Sequence, residues 1–117
     1  MSQSISDFLR SVEAFRSLSE SSARVLAETV RTEHFRRGTY VVRKGEQGDR
    51  MFVVMTGQVR IPIEAGEESF AVTLGRGQIF GEMALLTGDP RTADVIVTEP
   101  CDLIVFERST VERLLAE

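Results

Sequence analysis

The sequence has few of the residues that build disulfides, metal centres or catalytic triads. Its 117 residues include one cysteine, Cys101, one histidine, His34, and no tryptophan. A single cysteine excludes an internal disulfide, and a single histidine gives little basis for a zinc enzyme or a Ser–His–Asp triad. No apolar run approaches the ~20 residues that a membrane-spanning helix needs. We therefore expect no catalytic residues, no metal site and no cofactor within this chain.

Positive charge is also scarce for a protein that binds nucleic acid. The formal net charge is −4, and lysine occurs once, at Lys44, while the arginines are spread along the chain. Domains that bind DNA usually carry a basic patch, so no nucleic-acid partner is expected here. The N-terminus is polar and contains Asp7, unlike a secretory signal. These features favour the cytoplasm, including the cytoplasmic part of a membrane protein.

Hydrophobic spacing divides the chain into a helical beginning and a β-rich remainder. Apolar residues in 4–18 follow a helical period, and Ser19 is placed to cap a second short helix that ends near Arg31. We assign 1–33 to an N-terminal helical segment and 34–108 to a β-roll. The remaining residues, 109–117, read as the start of a C-terminal helix cut short in a longer parent protein.

The β-rich part alternates short apolar stretches with glycine-marked turns. This pattern predicts a mainly β fold, an eight-stranded antiparallel β-roll resembling a jelly roll. The predicted strands are His34–Arg36, Tyr40–Arg43, Met51–Met55, Gln58–Ile63, Ser69–Leu74, Gln78–Phe80, Thr92–Thr98 and Asp102–Phe106. One segment departs from the pattern, since Glu82–Leu86 consists of strong helix formers between glycines.

The segment from Phe80 to Val95, FGEMALLTGDPRTADV, has the chemistry of an anion site. A helix that begins at Glu82 would direct free N–H groups and a positive dipole end toward Gly81. Arg91 follows after a short loop, and its planar guanidinium suits two phosphate oxygens. Thr92 adds a hydroxyl donor, while Glu82 suits a sugar hydroxyl. A ligand that carries a phosphate close to a ribose hydroxyl satisfies both the phosphate-binding groups and Glu82.

This segment resembles the phosphate-binding cassette of the cyclic-nucleotide-binding domain family. The family pattern, F-G-E-(Leu or Met)-A-L followed by P-R-(Thr, Ser or Ala)-A, is matched by Phe80–Leu85 and Pro90–Ala93. Upstream, Gly45–Phe52 resembles the family's G-E-x-G-D turn, and Gly57 resembles its next turn. The resemblance extends from about residue 13 to 115, in the manner of channel-type and kinase-regulatory members.

The resemblance implies a cAMP or cGMP ligand and a role for each matching residue. Arg91 and the backbone N–H groups of Met83 and Ala84 would hold the cyclic phosphate, with Thr92 beside them. Glu82 and the Gly81 backbone would bind the ribose 2′-hydroxyl. Val72 would pack against the purine. Among the two nucleotides the resemblance favours cAMP slightly.

Three functions are compatible with this resemblance. The first is a nucleotide sensor that moves flanking helices and thereby gates an attached channel or transporter, and the helices ahead of the roll favour it. The second is the sensor half of a DNA-binding transcription regulator. The third is a nucleotide-insensitive interaction domain, which the joint presence of Gly81, Glu82 and Arg91 disfavours. Any oligomer is expected to form through the parent protein.

Overall fold

The computed structural model describes residues 4–81 and 90–116, and these form helices on one side of an antiparallel sheet. The first helix, α1 (Ile5–Ser11), is capped by Ser4, whose Oγ accepts from the Asp7 N–H. A 3-10 turn, Glu13–Phe15, leads into α2 (Glu20–Thr29), where Ser19 Oγ accepts from the Ser22 N–H. The predicted cap of the second helix is therefore confirmed. The last helix, α3, spans Arg108–Ala116.

The sheet of the described residues contains six antiparallel strands, which confirms the mainly β fold of the prediction. They are β1 (Arg31–Phe35), β2 (Tyr40–Val42), β3 (Arg50–Ala65), β4 (Glu68–Leu74), β5 (Ile79–Phe80) and β6 (Val95–Glu107). The main order is β1-β6-β3-β4, with β2 paired to β6 and β5 paired to β3.

The described part of the chain has six strands instead of the predicted eight, because two pairs of predicted strands are continuous. One pair forms β3 and the other forms β6. The sequence predicts a turn at Gly57. In the structure Gly57, with a φ of +89°, lies inside β3, and the register against β6 shifts around it. A β-bulge of this kind absorbs an extra residue while the ladder continues on both sides. The long β6 passes Pro100 in the same way. The strand predicted from Thr92 begins only at Val95.

Alternating side chains of the long strands build two apolar cores on opposite faces of the sheet. Val53, Ile104 and Phe106 pack with α1, α2 and α3, in a cluster that contains Phe8 and Val111. The second cluster, on the other face, contains side chains from β3, β5 and β6: Phe52, Val54, Val59, Phe80, Val95, Val97, Cys101, Leu103 and Val105. This two-residue period is what a strand buried on both faces requires. The first cluster, called the outer core, therefore connects the helices to the sheet. The second cluster, called the inner core, supports the segment around Gly81.

Candidate functional site

Arg91 has its backbone fixed to the turn that follows β2. The Arg91 N–H donates to the Glu46 carbonyl at 2.7 Å, and the Gly45 N–H donates to the Arg91 carbonyl at 2.8 Å. A β-bridge between Gln47 and Pro90 extends the same pairing. Residues 45–47 and 90–91 thus form a small ladder, which determines where the Arg91 side chain begins.

The Arg91 side chain is buried, with 7% of its surface exposed, although it carries a permanent charge. Nη1 donates to the Gly81 carbonyl at 2.9 Å, and Nη2 donates to the Arg50 carbonyl at 2.7 Å. These two bonds to backbone carbonyls orient the guanidinium. Burial of a cation is costly in an apolar interior. A positively charged group held rigidly at this depth suits an anionic ligand.

Gly81 is required at its position by both its backbone and its neighbours. Its φ is +88°, a region that residues with a Cβ rarely adopt, and an added Cβ would lie 2.7 Å from Arg91 Nη1. The preceding Phe80 is buried and stacks on Phe52, with ring centroids 4.9 Å apart. The stacked rings hold the end of β5, and glycine then allows the Arg91 guanidinium to approach the backbone closely.

A cleft of about 380 Å³ lies beside Thr92, the residue after Arg91. One wall comes from β3 and the other from the turns around residues 44 and 93. The lining residues are Lys44, Ile61, Pro62, Ile63, Glu64, Thr92, Ala93 and Asp94. Its volume lies within the roughly 300–1,000 Å³ that is typical of small-molecule sites. The combination of isoleucines, one hydroxyl and charged groups suits a ligand with an apolar ring and a polar end.

The structure brings Arg91 into contact with the Gly81 carbonyl, and it places Thr92, the next residue, on the lining of the cleft. Val72 is 36% exposed on β4, and it reaches the cleft only through Ile61, its cross-strand partner in β3. The three other predicted site residues, Glu82, Met83 and Ala84, lie outside the described residues. The internal helix predicted over Glu82–Leu86 lies outside them as well.

The sequence analysis did not identify the β3 wall or the carbonyl of Arg50 as parts of the site. Val59, Ile61 and Ile63 alternate with polar neighbours in the sequence, and this alternation could have placed Ile61 and Ile63 on one face. The bond from Arg91 to the Arg50 carbonyl has no such signal, because any residue supplies a backbone carbonyl. That contact depends on the fold alone.

The described residues also bear on metal binding and on membrane-spanning helices. Within residues 4–81 and 90–116, no three His, Cys, Asp or Glu side chains are grouped so that they could hold a metal ion. In the same part of the chain, no helix is both long and apolar enough to cross a membrane.

Known proteins resemble the chain over almost its whole length. "cGMP-dependent protein kinase, isozyme 2 forms cD5/T2" of Drosophila melanogaster is 37% identical over 116 residues, which are 95% of this chain and 12% of that protein. "cGMP-dependent protein kinase 2" of Homo sapiens is 31% identical, over 89% of this chain and 14% of the kinase. The chain thus spans only about an eighth of the length of these curated relatives.

Solved structures agree with the sequence relatives. The regulatory domain of Toxoplasma gondii PKA, co-crystallised with cAMP, superimposes with a TM-score of 0.85 at 32% identity, covering 95% of this chain and 44% of that one. A cyclic nucleotide-binding-like protein from Brucella abortus gives a TM-score of 0.77 at 27% identity, covering 98% of this chain and 100% of that one. The family model described as "Cyclic nucleotide-binding domain" matches residues 32–117. The chain belongs to the cyclic nucleotide-binding domain family.

Proposed function

We propose that this domain binds cAMP or cGMP in the cleft beside Thr92 and transmits the binding to an attached effector domain. The observation that carries the proposal is the buried guanidinium of Arg91, held by the carbonyls of Gly81 and Arg50. A cyclic nucleotide has one phosphodiester charge next to an apolar purine. Arg91 supplies a held cation, and the cleft beside the following residue, Thr92, supplies the apolar side chains of Ile61 and Ile63.

Each part of the ligand has a proposed partner. The fork-shaped guanidinium of Arg91 suits the two exocyclic phosphate oxygens, and the Thr92 hydroxyl donates to one of them. The backbone N–H groups of Met83 and Ala84, which follow Gly81 closely in the chain, complete the phosphate site. Glu82 accepts from the ribose 2′-hydroxyl. The purine packs against the β3 wall, with Val72 behind it.

The turn of residues 45–50 offers a route from this site to the helices. It bonds the Arg91 backbone through Gly45 and Glu46 and the Arg91 guanidinium through Arg50. On its other side, Arg108 Nη2 donates to the Gly48 carbonyl at 3.0 Å. Arg108 is the first residue of α3, whose Val111 packs in the same core as α1 and α2. A ligand that draws Arg91 toward its phosphate therefore shifts the turn and biases the position of α3.

A protein kinase is the better-supported effector. The relatives described above are cGMP-dependent protein kinases, and the similar Toxoplasma gondii structure is a PKA regulatory domain. The channel or transporter that the N-terminal helices suggested has no support from these comparisons. The same relatives give no support to a DNA-binding regulator. We propose a cytoplasmic location on the same grounds.

Calorimetric titration with three nucleotides tests the class of ligand. We expect cAMP and cGMP to bind with a stoichiometry of one, and their ratio of affinities to establish the preferred base. The open-chain 5′-AMP is the control, since it has the same base but a phosphate of different charge and geometry. It should bind at least about tenfold more weakly, which corresponds to 1.4 kcal/mol. A folded protein that gives no heat with either cyclic nucleotide would contradict the proposal and favour an interaction domain.

Hydrogen exchange tests the route through the turn. We expect saturating nucleotide to change the exchange protection of α3 in the wild-type protein, and Arg108→Ala to reduce this change while leaving Arg91 in place. Arg113→Ala, on the same helix, is the matched control and should retain the full change. An Arg108→Ala domain whose α3 responds like the wild type would show that the turn does not transmit binding by this contact.

A further inference from the structure

Lys44 is the single lysine of the chain, and it lies on the rim of the cleft. Its backbone N–H donates to Asp94 Oδ1 at 2.7 Å, which ties the turn after β2 to the segment that follows Arg91. Lys44 is exposed, and it lines the cleft together with Thr92 and Asp94. Its starting point is thus fixed against the site, while the four-carbon stem leaves the ammonium free to move.

Among the residues that the structure describes, those that line this cleft carry one cation and two carboxylates. Lys44 contributes the ammonium, and Glu64 and Asp94 contribute the negative charges. Both carboxylates repel an approaching anion, and the ammonium attracts it. Arg91 also attracts it, but its guanidinium is buried at the carbonyls of Gly81 and Arg50. Of the described residues that line the cleft, Lys44 is the one that carries a positive charge.

We propose that Lys44 is a capture residue, whose ammonium attracts the incoming nucleotide and pairs with its phosphate charge at the rim of the cleft. This inference rests on the proposed function. Its physical basis is that an exposed charge at a binding site acts mainly on the rate of association, by steering an oppositely charged ligand. Lys44 offsets the repulsion from Glu64 and Asp94, and Arg91 then fixes the phosphate at depth.

Stopped-flow association of a fluorescent cAMP or cGMP derivative tests the proposal. We expect Lys44→Gln to lower the association rate constant about three- to tenfold at 0.01 M ionic strength, where the screening length is about 30 Å. At about 1 M salt the screening length falls to about 3 Å, and the wild type and Lys44→Gln should bind the nucleotide derivative at the same rate. The dissociation rate constant should change less than the association rate constant.

Arg43→Gln is the matched control, because it removes the same charge one residue away. The Arg43 guanidinium lies over the Tyr40 ring, 4.4 Å from its centroid, and does not belong to the cleft lining. We expect Arg43→Gln to slow association less than Lys44→Gln does, and the two variants to differ most clearly near 0.15 M ionic strength, where the screening length is about 8 Å. Equal slowing in both variants, or none in Lys44→Gln, would overturn the proposal. If the wild-type protein bound no nucleotide, both the proposed function and the capture role of Lys44 would be overturned.

Chemical modification gives a second measurement that does not depend on a mutation. Since Lys44 has the only side-chain amine, acetic anhydride modifies it and the N-terminal amine, and peptide mass spectrometry separates the two. Saturating cyclic nucleotide should slow acetylation of Lys44 and leave that of the N-terminus unchanged. Acetylation of Lys44 at the same rate with and without nucleotide, in a protein that binds it, would overturn the pairing with phosphate.

Discussion

Two glycines of the described chain lie where a side chain would collide with backbone or with the site. At Gly81 an added Cβ approaches Arg91 Nη1 and the Arg50 carbonyl, while at Gly57 it overlaps the carbonyl of Pro100. Both residues have a positive φ. Gly38 has a similar φ, +87°, but nothing lies within 4 Å of its added Cβ. Gly38→Ala introduces backbone strain alone, whereas Gly57→Ala and Gly81→Ala add a steric clash, so comparison of the three variants separates the two effects.

Gly81→Ala should weaken nucleotide binding in addition to straining the fold. The new methyl group displaces the guanidinium that we place at the phosphate, and loss of a charge-assisted hydrogen bond costs about 1.5–3 kcal/mol. We expect the dissociation constant in calorimetry to rise about ten- to hundredfold. Gly38→Ala carries the same backbone penalty and should keep its affinity. Equal affinity in the two variants would show that Gly81 does not support the site.

Gly57→Ala should instead reduce the stability of the whole domain. Its added Cβ meets the backbone of Pro100 and Cys101, which cannot rotate away as a flexible side chain does. Strain at positive φ costs about 1–2 kcal/mol and overpacking about 1–3 kcal/mol, so a loss of roughly 2–5 kcal/mol is expected in urea unfolding. Gly38→Ala should lose only about 1–2 kcal/mol. A Gly57→Ala domain as stable as Gly38→Ala would contradict the bulge geometry described here.

The helices and strands show how far local sequence patterns determine this fold. The cap at Ser19 and the strand β4 follow from nearest neighbours in the sequence, and both were predicted closely. The long β3 was not, because Gly57 signals a turn or a bulge equally well. Only the pairing with β6, whose partner residues lie 36 or more positions away along the chain, decides between them. The contact of Arg91 with the Arg50 carbonyl is non-local for the same reason.

Removal of the cap of α2 should have a small and local effect on stability. Ser19 Oγ accepts from the Ser22 N–H at 3.1 Å, and Ser19→Ala leaves that N–H without this partner at the start of the helix. Substitution of an N-cap serine costs about 0.5–2 kcal/mol. Ser17→Ala, in the preceding turn, is the control and should change the free energy of unfolding by less than about 0.5 kcal/mol. Similar losses in both variants would show that the cap contributes nothing specific.

The domain as a whole has two cores that share one sheet, and Cys101 reports on the inner one. Cys101 is fully buried, and its Sγ donates to the carbonyls of Glu99 and Gln58 at 3.1 and 3.3 Å. Burial raises the pKa of this thiol above its ordinary 9.0. Since the thiolate is the reactive form, native Cys101 should react very slowly and only when the core opens.

The raised pKa of Cys101 also predicts how stability depends on pH. The folded state holds the thiol proton more tightly than the unfolded chain, so this group's contribution is complete below pH 9.0 and declines as the pH rises through the native pKa. We expect the wild type to lose stability between pH 8 and 10 by more than Cys101→Ala loses. Urea unfolding across this range measures the difference. Parallel curves for the two proteins would show that the thiol is not protected by burial.

The central claim is that a buried Arg91 holds the phosphate of a cyclic nucleotide. Titration of wild-type, Arg91→Ala and Arg37→Ala domains with cAMP and cGMP tests it, after thermal melts establish that each variant is folded. The account predicts that Arg91→Ala weakens binding of the preferred nucleotide about ten- to hundredfold and that Arg37→Ala, in an exposed turn, leaves it unchanged. Wild-type affinity in a folded Arg91→Ala domain would contradict the account, because the phosphate would then be held without Arg91.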